Sequence, residues 1–152
     1  MGARLVATSY SIGKHFEEVI ENLIEITLLV NKMGVPRHAF LNFLNNGVMG
    51  SMFTAYKSPA LVNLDWTTTF TPELLRKDID LGLELGREYD VPMPVTAATR
   101  EVLQGHFGAA QLQNNPHEYI AKDFAALAET MALAAGMKLA SENKNVPTGL
   151  ES

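Results

Sequence analysis

The stretch that most constrains this chain is Phe70 to Pro94, FTPELLRKDIDLGLELGREYDVPMP. Thr71 suits a helix N-cap, and Pro72 suits the first helical position, where no N–H is needed. Val91-Pro92-Met93-Pro94 then forbids continuation. Between those limits a 3.6-residue period sorts the side chains. Glu73, Arg76, Asp80, Glu84 and Arg87 form one polar stripe. Leu74, Leu75, Leu81, Gly82, Leu85, Gly86 and Tyr89 cover the other side. Asp78 falls in the middle of that apolar side, with Lys77 at its edge. A carboxylate on apolar surface is costly unless something pairs with it. Two readings stay open. In one, Asp78 caps a neighbouring helix or accepts from a buried loop and Lys77 is surface. In the other, the pair forms the polar end of a pocket and Lys77 reaches an anionic ligand.

The same period predicts the rest of the fold. A long helix is expected over 12–33, with Phe16, Val19, Ile20, Leu23, Thr27 and Val30 inward. Its second half, IEITLLV, is apolar almost all round. Lys32-Met33-Gly34 ends it with a cation and a glycine suited to a left-handed cap. Pro36 opens a second helix to Asn45, with Phe40, Leu41, Phe43 and Leu44 inward. A short helix is expected near 51–56, then a loop over 63–69 that Trp66 anchors. After the Phe70–Pro94 segment, a helix over 94–107 turns Val95, Ala98, Val102 and Leu103 inward. Residues 108–119 read as a connecting loop, and Asp123 caps a last helix over 124–137. No β-branched alternation reaches five positions, so the chain reads as all-α with five or six helices. The domain organisation follows: 1–11 poorly patterned, as a tail or the first turn of a helix, 12–140 one helical domain, and 141–152 a flexible tail.

Totals matter mainly for what they exclude. With 152 residues, one domain has room for a proper core and two do not. A net charge of −5 argues against nucleic acid or an anionic membrane as the main partner. Cysteine is absent, which removes disulfides and thiol chemistry. No apolar run reaches membrane-span length, and no signal peptide is evident, so a cytoplasmic protein is expected.

Other chemistries lack their spacing. His15, His38, His106 and His117 are scattered, with no HExxH or ExxH pair, and read as ordinary surface or half-buried histidines. No metal site is expected. There is no GxSxG elbow, and neither a GxGxxG nor a P-loop pattern. Gly47, Gly50 and Ser51 read as a tight turn, or as N–H groups offered to an anion. Gly82 and Gly86 cost roughly 1 kcal/mol each against alanine, and close helix–helix approach accounts for them.

The segment LLRKDIDLGLELGREYDVPMP resembles L-x-x-K-D-x-x-L-A-x-x-x-A-x-x-x-x-x-V-P-x-P of the β-hydroxyacid (3-hydroxyisobutyrate dehydrogenase-like) family. EITLLVNKMG (Glu25 to Gly34) is similar to the end of that family's long helix. Pro36 to Ser51 is similar to its next helix and Gly-Ser turn, and Asp123 to Leu127 to the start of its last. The resemblance spans Leu23 to Gly136. It implies an all-helical second domain of the 6-phosphogluconate dehydrogenase C-terminal type, closing over an NAD or NADP nicotinamide. It implies that Lys77 contacts the cofactor and that Phe70, Asp78 and Ser51 belong to the substrate pocket. It further implies a homodimer, a dinucleotide-binding (Rossmann) domain as partner and a small hydroxyacid as substrate. IEITLLV and the Gly82/Gly86 face, apolar in excess of a monomer's needs, agree with a dimer.

Two departures qualify this. No glycine-rich dinucleotide segment occurs in these residues. The family's catalytic lysine, in G-x-x-x-K-x-x-N-N, falls near Ala7 to Ser9, where no ammonium stands; Lys14 lies several residues late. No catalytic residue is therefore assigned. The chain alone is expected to be inactive, the alternative being a free-standing, non-catalytic helical module for dimerisation or ligand binding.

Overall fold

The computed structural model describes residues 2–150, with side chains described at residue 15 and from residue 18 onward. Among the described residues seven α-helices follow in order: α1 Gly2–Lys32, α2 Arg37–Asn45, α3 Met52–Asn63, α4 Pro72–Glu88, α5 Pro94–Ala110, α6 Pro116–Ile120 and α7 Leu127–Ala134. A 3-10 turn, Phe124–Ala126, precedes α7. No strand occurs among the described residues, as the absence of alternation predicts. The count exceeds five or six because α6, five residues long, forms inside the stretch read as a loop. Asn115 caps it by accepting from the Glu118 N–H.

The chain resolves into two compact units. The first is Met1–Glu21 with Thr68–Phe124; the second is Asn22–Thr67 with Ala125–Ser152.

In the first unit α4 packs on α5, and α5 on α6. The buried line of α4 is Leu75, Ile79, Gly82 and Gly86. This line is rotated from the sequence expectation. Leu74 and Tyr89 are exposed, and Ile79 is the centre of the buried face. Gly86 is required by a close approach, though not of another helix. A Cβ there would lie 2.6 Å from Met93 Cγ, in the Val91–Pro94 exit that folds back on α4. That exit turns at Asp90, whose φ of 54° is left-handed, and Val91 N–H bonds Gly86 O at 2.8 Å.

On α5 the expected inner face is displaced. Thr96, Thr99, Leu103, His106 and Ala110 are buried, while Val95 and Ala98 are exposed. Polar side chains have taken several of the core positions. The Thr96 hydroxyl donates to Glu18 Oε1 at 2.5 Å. His106 is fully buried, against the expectation for all four histidines, and its ring lies 5.0 Å from that of Tyr119. Burial, and then the charge of Lys122, push its pKa down to about 4, so it is neutral.

In the second unit the end of α1 closes as the sequence predicts. Gly34 takes φ 96°, with Gly34 N–H on Asn31 O and Val35 N–H on Val30 O. Helix α2 departs from expectation: Phe43 is 79% exposed, because Arg37 and Leu41 define the buried side. Helix α3 is twice the expected length and runs through Pro59 to bury Leu61 and Val62. Ser51 caps it in a reciprocal box with Thr54, and Trp66 donates to Glu129 Oε1 at 2.8 Å.

One corner of this unit is densely bonded. Arg37 donates through Nε to Leu61 O and through Nη2 to Val62 O, both at 2.8 Å, satisfying the last-turn carbonyls of α3. Its Nη2 also donates to Ala140 O. Glu142 accepts from the backbone N–H of Arg37 (2.8 Å) and His38 (3.0 Å), and so caps α2 from 105 residues away. Burial pushes the Glu142 carboxyl up, but the bonds from His38 and Arg37 together outweigh it and leave its pKa lowered.

Candidate cofactor- and substrate-facing site on α4

The leading loop of α4 is built to hold one aromatic ring. Asp123, buried, accepts from Thr69 N–H at 3.0 Å, Thr69 Oγ1 at 2.6 Å and Phe70 N–H at 3.3 Å. Thr68 Oγ1 donates to Ala121 O. Phe124 N–H closes the ring of contacts on Phe70 O at 3.0 Å. The Phe70 side chain then meets Phe124 edge to face, centroids 6.2 Å apart. Thr71 accepts from Leu74 N–H, Pro72 occupies the first turn, and α4 starts as predicted.

Down the helix, Lys77 and Asp78 part company. Consecutive helical residues point about 100° apart. Lys77 lies nearly opposite the Leu75–Ile79 line and is exposed. Asp78 lies on the flank of that line, not in its middle, and is half-buried. Its neighbours three and four residues away are Leu74, Leu75, Leu81 and Gly82, so the flank around it is apolar. Burial raises the Asp78 pKa, and the Lys77 charge opposes this. Among the described residues no hydrogen-bond donor is seen on the Asp78 carboxylate. Arg76, on the other flank, stacks over the Phe107 ring at 3.9 Å from its centroid.

Phe70, Lys77 and Asp78 therefore share α4 and its leading loop within the first unit, with Lys77 and Asp78 directed about 100° apart. Ser51 lies in the second unit, where its hydroxyl caps α3 and its side chain is exposed. Gly50 beside it is sterically required, since a Cβ would lie 2.4 Å from Asn45 O. Lys14 is on α1, and its side chain is outside the described residues. No group of three or more His, Asp or Glu among the described residues could hold a metal. No described helix is long and apolar enough to cross a membrane.

A family model described as the NAD-binding domain of NADP-dependent 3-hydroxyisobutyrate dehydrogenase matches residues 18–124. The chain belongs to the 3-hydroxyisobutyrate dehydrogenase-like family. Its all-helical architecture is that of the family's C-terminal domain. The matched span takes in Ser51, Phe70, Lys77 and Asp78, and begins after Lys14. No curated protein matches the chain.

The residues on α4 fit one end of a nicotinamide dinucleotide. An exposed ammonium complements its phosphates. The apolar flank offers surface to a ring, and a carboxylate that holds no donor can accept from an amide or a hydroxyl. What sequence reasoning missed was His106 and Arg37 as buried polar groups. Neither sits in a motif; the signal lay only in their 3- and 4-residue spacing from core leucines.

Proposed function

We propose that this chain is the helical half of an NAD(P)-dependent β-hydroxyacid dehydrogenase, with α4 as one wall of the site. The Asp78 carboxyl, half-buried on an apolar flank with no hydrogen bond of its own, is the observation that carries this reading. Bound nicotinamide would supply the hydride acceptor or donor. Lys77 would hold an anion, a cofactor phosphate or the acid's carboxylate, and Asp78 would accept from a ligand hydroxyl or amide. Phe70, fixed by Asp123 and Phe124, would exclude water from one side of a small hydroxyacid. A dinucleotide-binding domain and a second copy of the chain are the partners this reading requires.

Alone, the chain is expected to be inactive. Ala7, Thr8 and Ser9 cannot polarise a carbonyl as an ammonium does, and the 152 residues hold no glycine-rich phosphate loop. The test is calorimetric titration of the chain with NADPH, beside an assay for oxidation of 3-hydroxyisobutyrate. Weak binding near ~1 mM, worth about 4 kcal/mol, with no turnover is the expected result. Micromolar binding or measurable hydride transfer by the chain alone would overturn the incomplete-site reading. If Lys77→Ala leaves the weak binding untouched, α4 is not the cofactor wall.

A further inference from the structure

The dimer in the reading above has no surface yet, and the second unit offers one. The last turns of α1 carry apolar side chains on the side away from the core. Leu29 is 56% exposed and Met33 75%, with Ile26 beside them. At 100° per residue these three lie within one 60° sector. The opposite side carries the buried Leu23, Ile24, Thr27 and Leu28. Glu25 and Lys32 run along one border of the apolar sector, seven residues and roughly 10 Å apart. Both are exposed. On their side a groove of about 260 Å³ opens, lined by Leu28, Leu29, Met131, Ala135 and Met137 between these two charges. Met131 and Met137 give it a deformable floor.

We infer that two copies of this chain associate through this end of α1, antiparallel about Leu29, with Glu25 of each against Lys32 of the other. The inference rests on the dimer of the proposed function and names its seam. The charges select the geometry. A two-fold axis at Leu29 pairs residues whose numbers sum to about 58, which sets Leu29 on Leu29, Ile26 near Met33 and Glu25 on Lys32 twice over. A parallel pairing, with its two-fold along the helices, would put the two charged borders on opposite sides of the seam and leave Glu25 and Lys32 without partners. An antiparallel pairing slid by seven residues would set Glu25 on Glu25. Further back, the same face carries Asn22, Glu18 and His15, so the apolar seam stops there. Lys32 already donates to Ala135 O at 2.5 Å. That bond uses one of the three ammonium protons and holds the charge at the border.

The whole chain is examined by sedimentation equilibrium. Leu29→Asp is expected to raise the dimer Kd by a hundredfold or more, with helicity unchanged because Leu29 is exposed. Glu25→Lys and Lys32→Glu should each raise it about tenfold, and the double exchange should restore it. Since the chain has no cysteine, Leu29→Cys should form an inter-copy disulfide under mild oxidation. Val48→Cys, fully exposed in the same unit, should not. A wild-type dimer untouched by Leu29→Asp, or a double exchange no better than the single ones, overturns the seam and leaves dimerisation standing. A wild-type monomer at millimolar concentration overturns both.

Discussion

Two charged sites in this molecule have opposite character. At the Arg37–Glu142 corner every polar atom is spoken for. The guanidinium holds three carbonyls, and the carboxylate holds two backbone N–H groups and the His38 ring at 2.8 Å. On α4, the Asp78 carboxylate meets apolar neighbours and an exposed lysine one residue away. A satisfied buried charge fixes a fold; removing one partner leaves the rest stranded. A charge that the fold leaves unbonded is available to something else. That contrast, rather than burial alone, separates the structural site from the candidate functional one.

The contrast is broken most directly at Arg37. Arg37→Ala strips two last-turn carbonyls of α3 and leaves the half-buried Glu142 with less charge compensation. The expected loss is about 3–5 kcal/mol, read as a large fall in the thermal midpoint. Glu142→Gln keeps the shape and loses only the charge, so about 1–3 kcal/mol is expected. The Glu142 pKa is lowered in the fold, so its contribution is present above the unfolded value of 4.5 and is lost as pH falls through the lower folded value. A midpoint unmoved by Arg37→Ala would mean that the bonds of this corner are decorative.

His106 gives a second, acid-specific effect. Its folded pKa is about 4 against 6.5 unfolded. Between those values the unfolded chain binds the extra proton, so stability falls as pH drops from 6.5 to 4. At 1.36 kcal/mol per pKa unit the full loss is about 3 kcal/mol. Thermal melts from pH 7 to pH 4 should show it, and His106→Gln should flatten that part of the profile. A wild-type profile already flat over this window would show that His106 is not held neutral.

These two residues also mark where the sequence stops being legible. Helix limits with chemical signals were readable: Thr71-Pro72, Gly34, Val91-Pro92-Met93-Pro94. The anomaly at Asp78 was readable only in part: it does sit beside apolar positions of its own helix, but on the flank of the buried line, with Lys77 exposed on the far side. The faces were read less well. Apolar count put Val95, Ala98 and Phe43 inward, whereas the buried positions went to Thr96, His106 and Arg37. Each of those polar groups is accommodated by something outside its own helix: Glu18 for Thr96, the Tyr119 ring for His106, and Ala140 with Glu142 for Arg37. Periodicity weighs each side chain by its own polarity and cannot see a partner 78 or 103 residues away. The length of α3 failed for the same reason. The short helix expected near 51–56 runs on through Pro59, because burial of Leu61 and Val62, with Arg37 on their carbonyls, holds the last turns.

The smallest stability effect, and the one that sharpens the comparison most, belongs to α4. Lys77 is exposed and faces away from the core, so Lys77→Ala should change stability by no more than about 0.5 kcal/mol. Asp78 has its pKa raised by burial, so the fold disfavours its ionised form. The sign is opposite to that of Glu142: the fold gains stability as pH falls through the raised folded value. Asp78→Asn, uncharged at every pH, should therefore leave the neutral-pH midpoint unchanged or slightly higher and remove that acid gain. Both variants should nonetheless weaken NADPH or hydroxyacid binding once a dinucleotide-binding domain completes the site. A structural residue would show the reverse, a lowered midpoint with ligand affinity intact. If Asp78→Asn melts the first unit as Arg37→Ala is expected to melt the second, the carboxylate is bonded after all, and α4 loses its claim to the site.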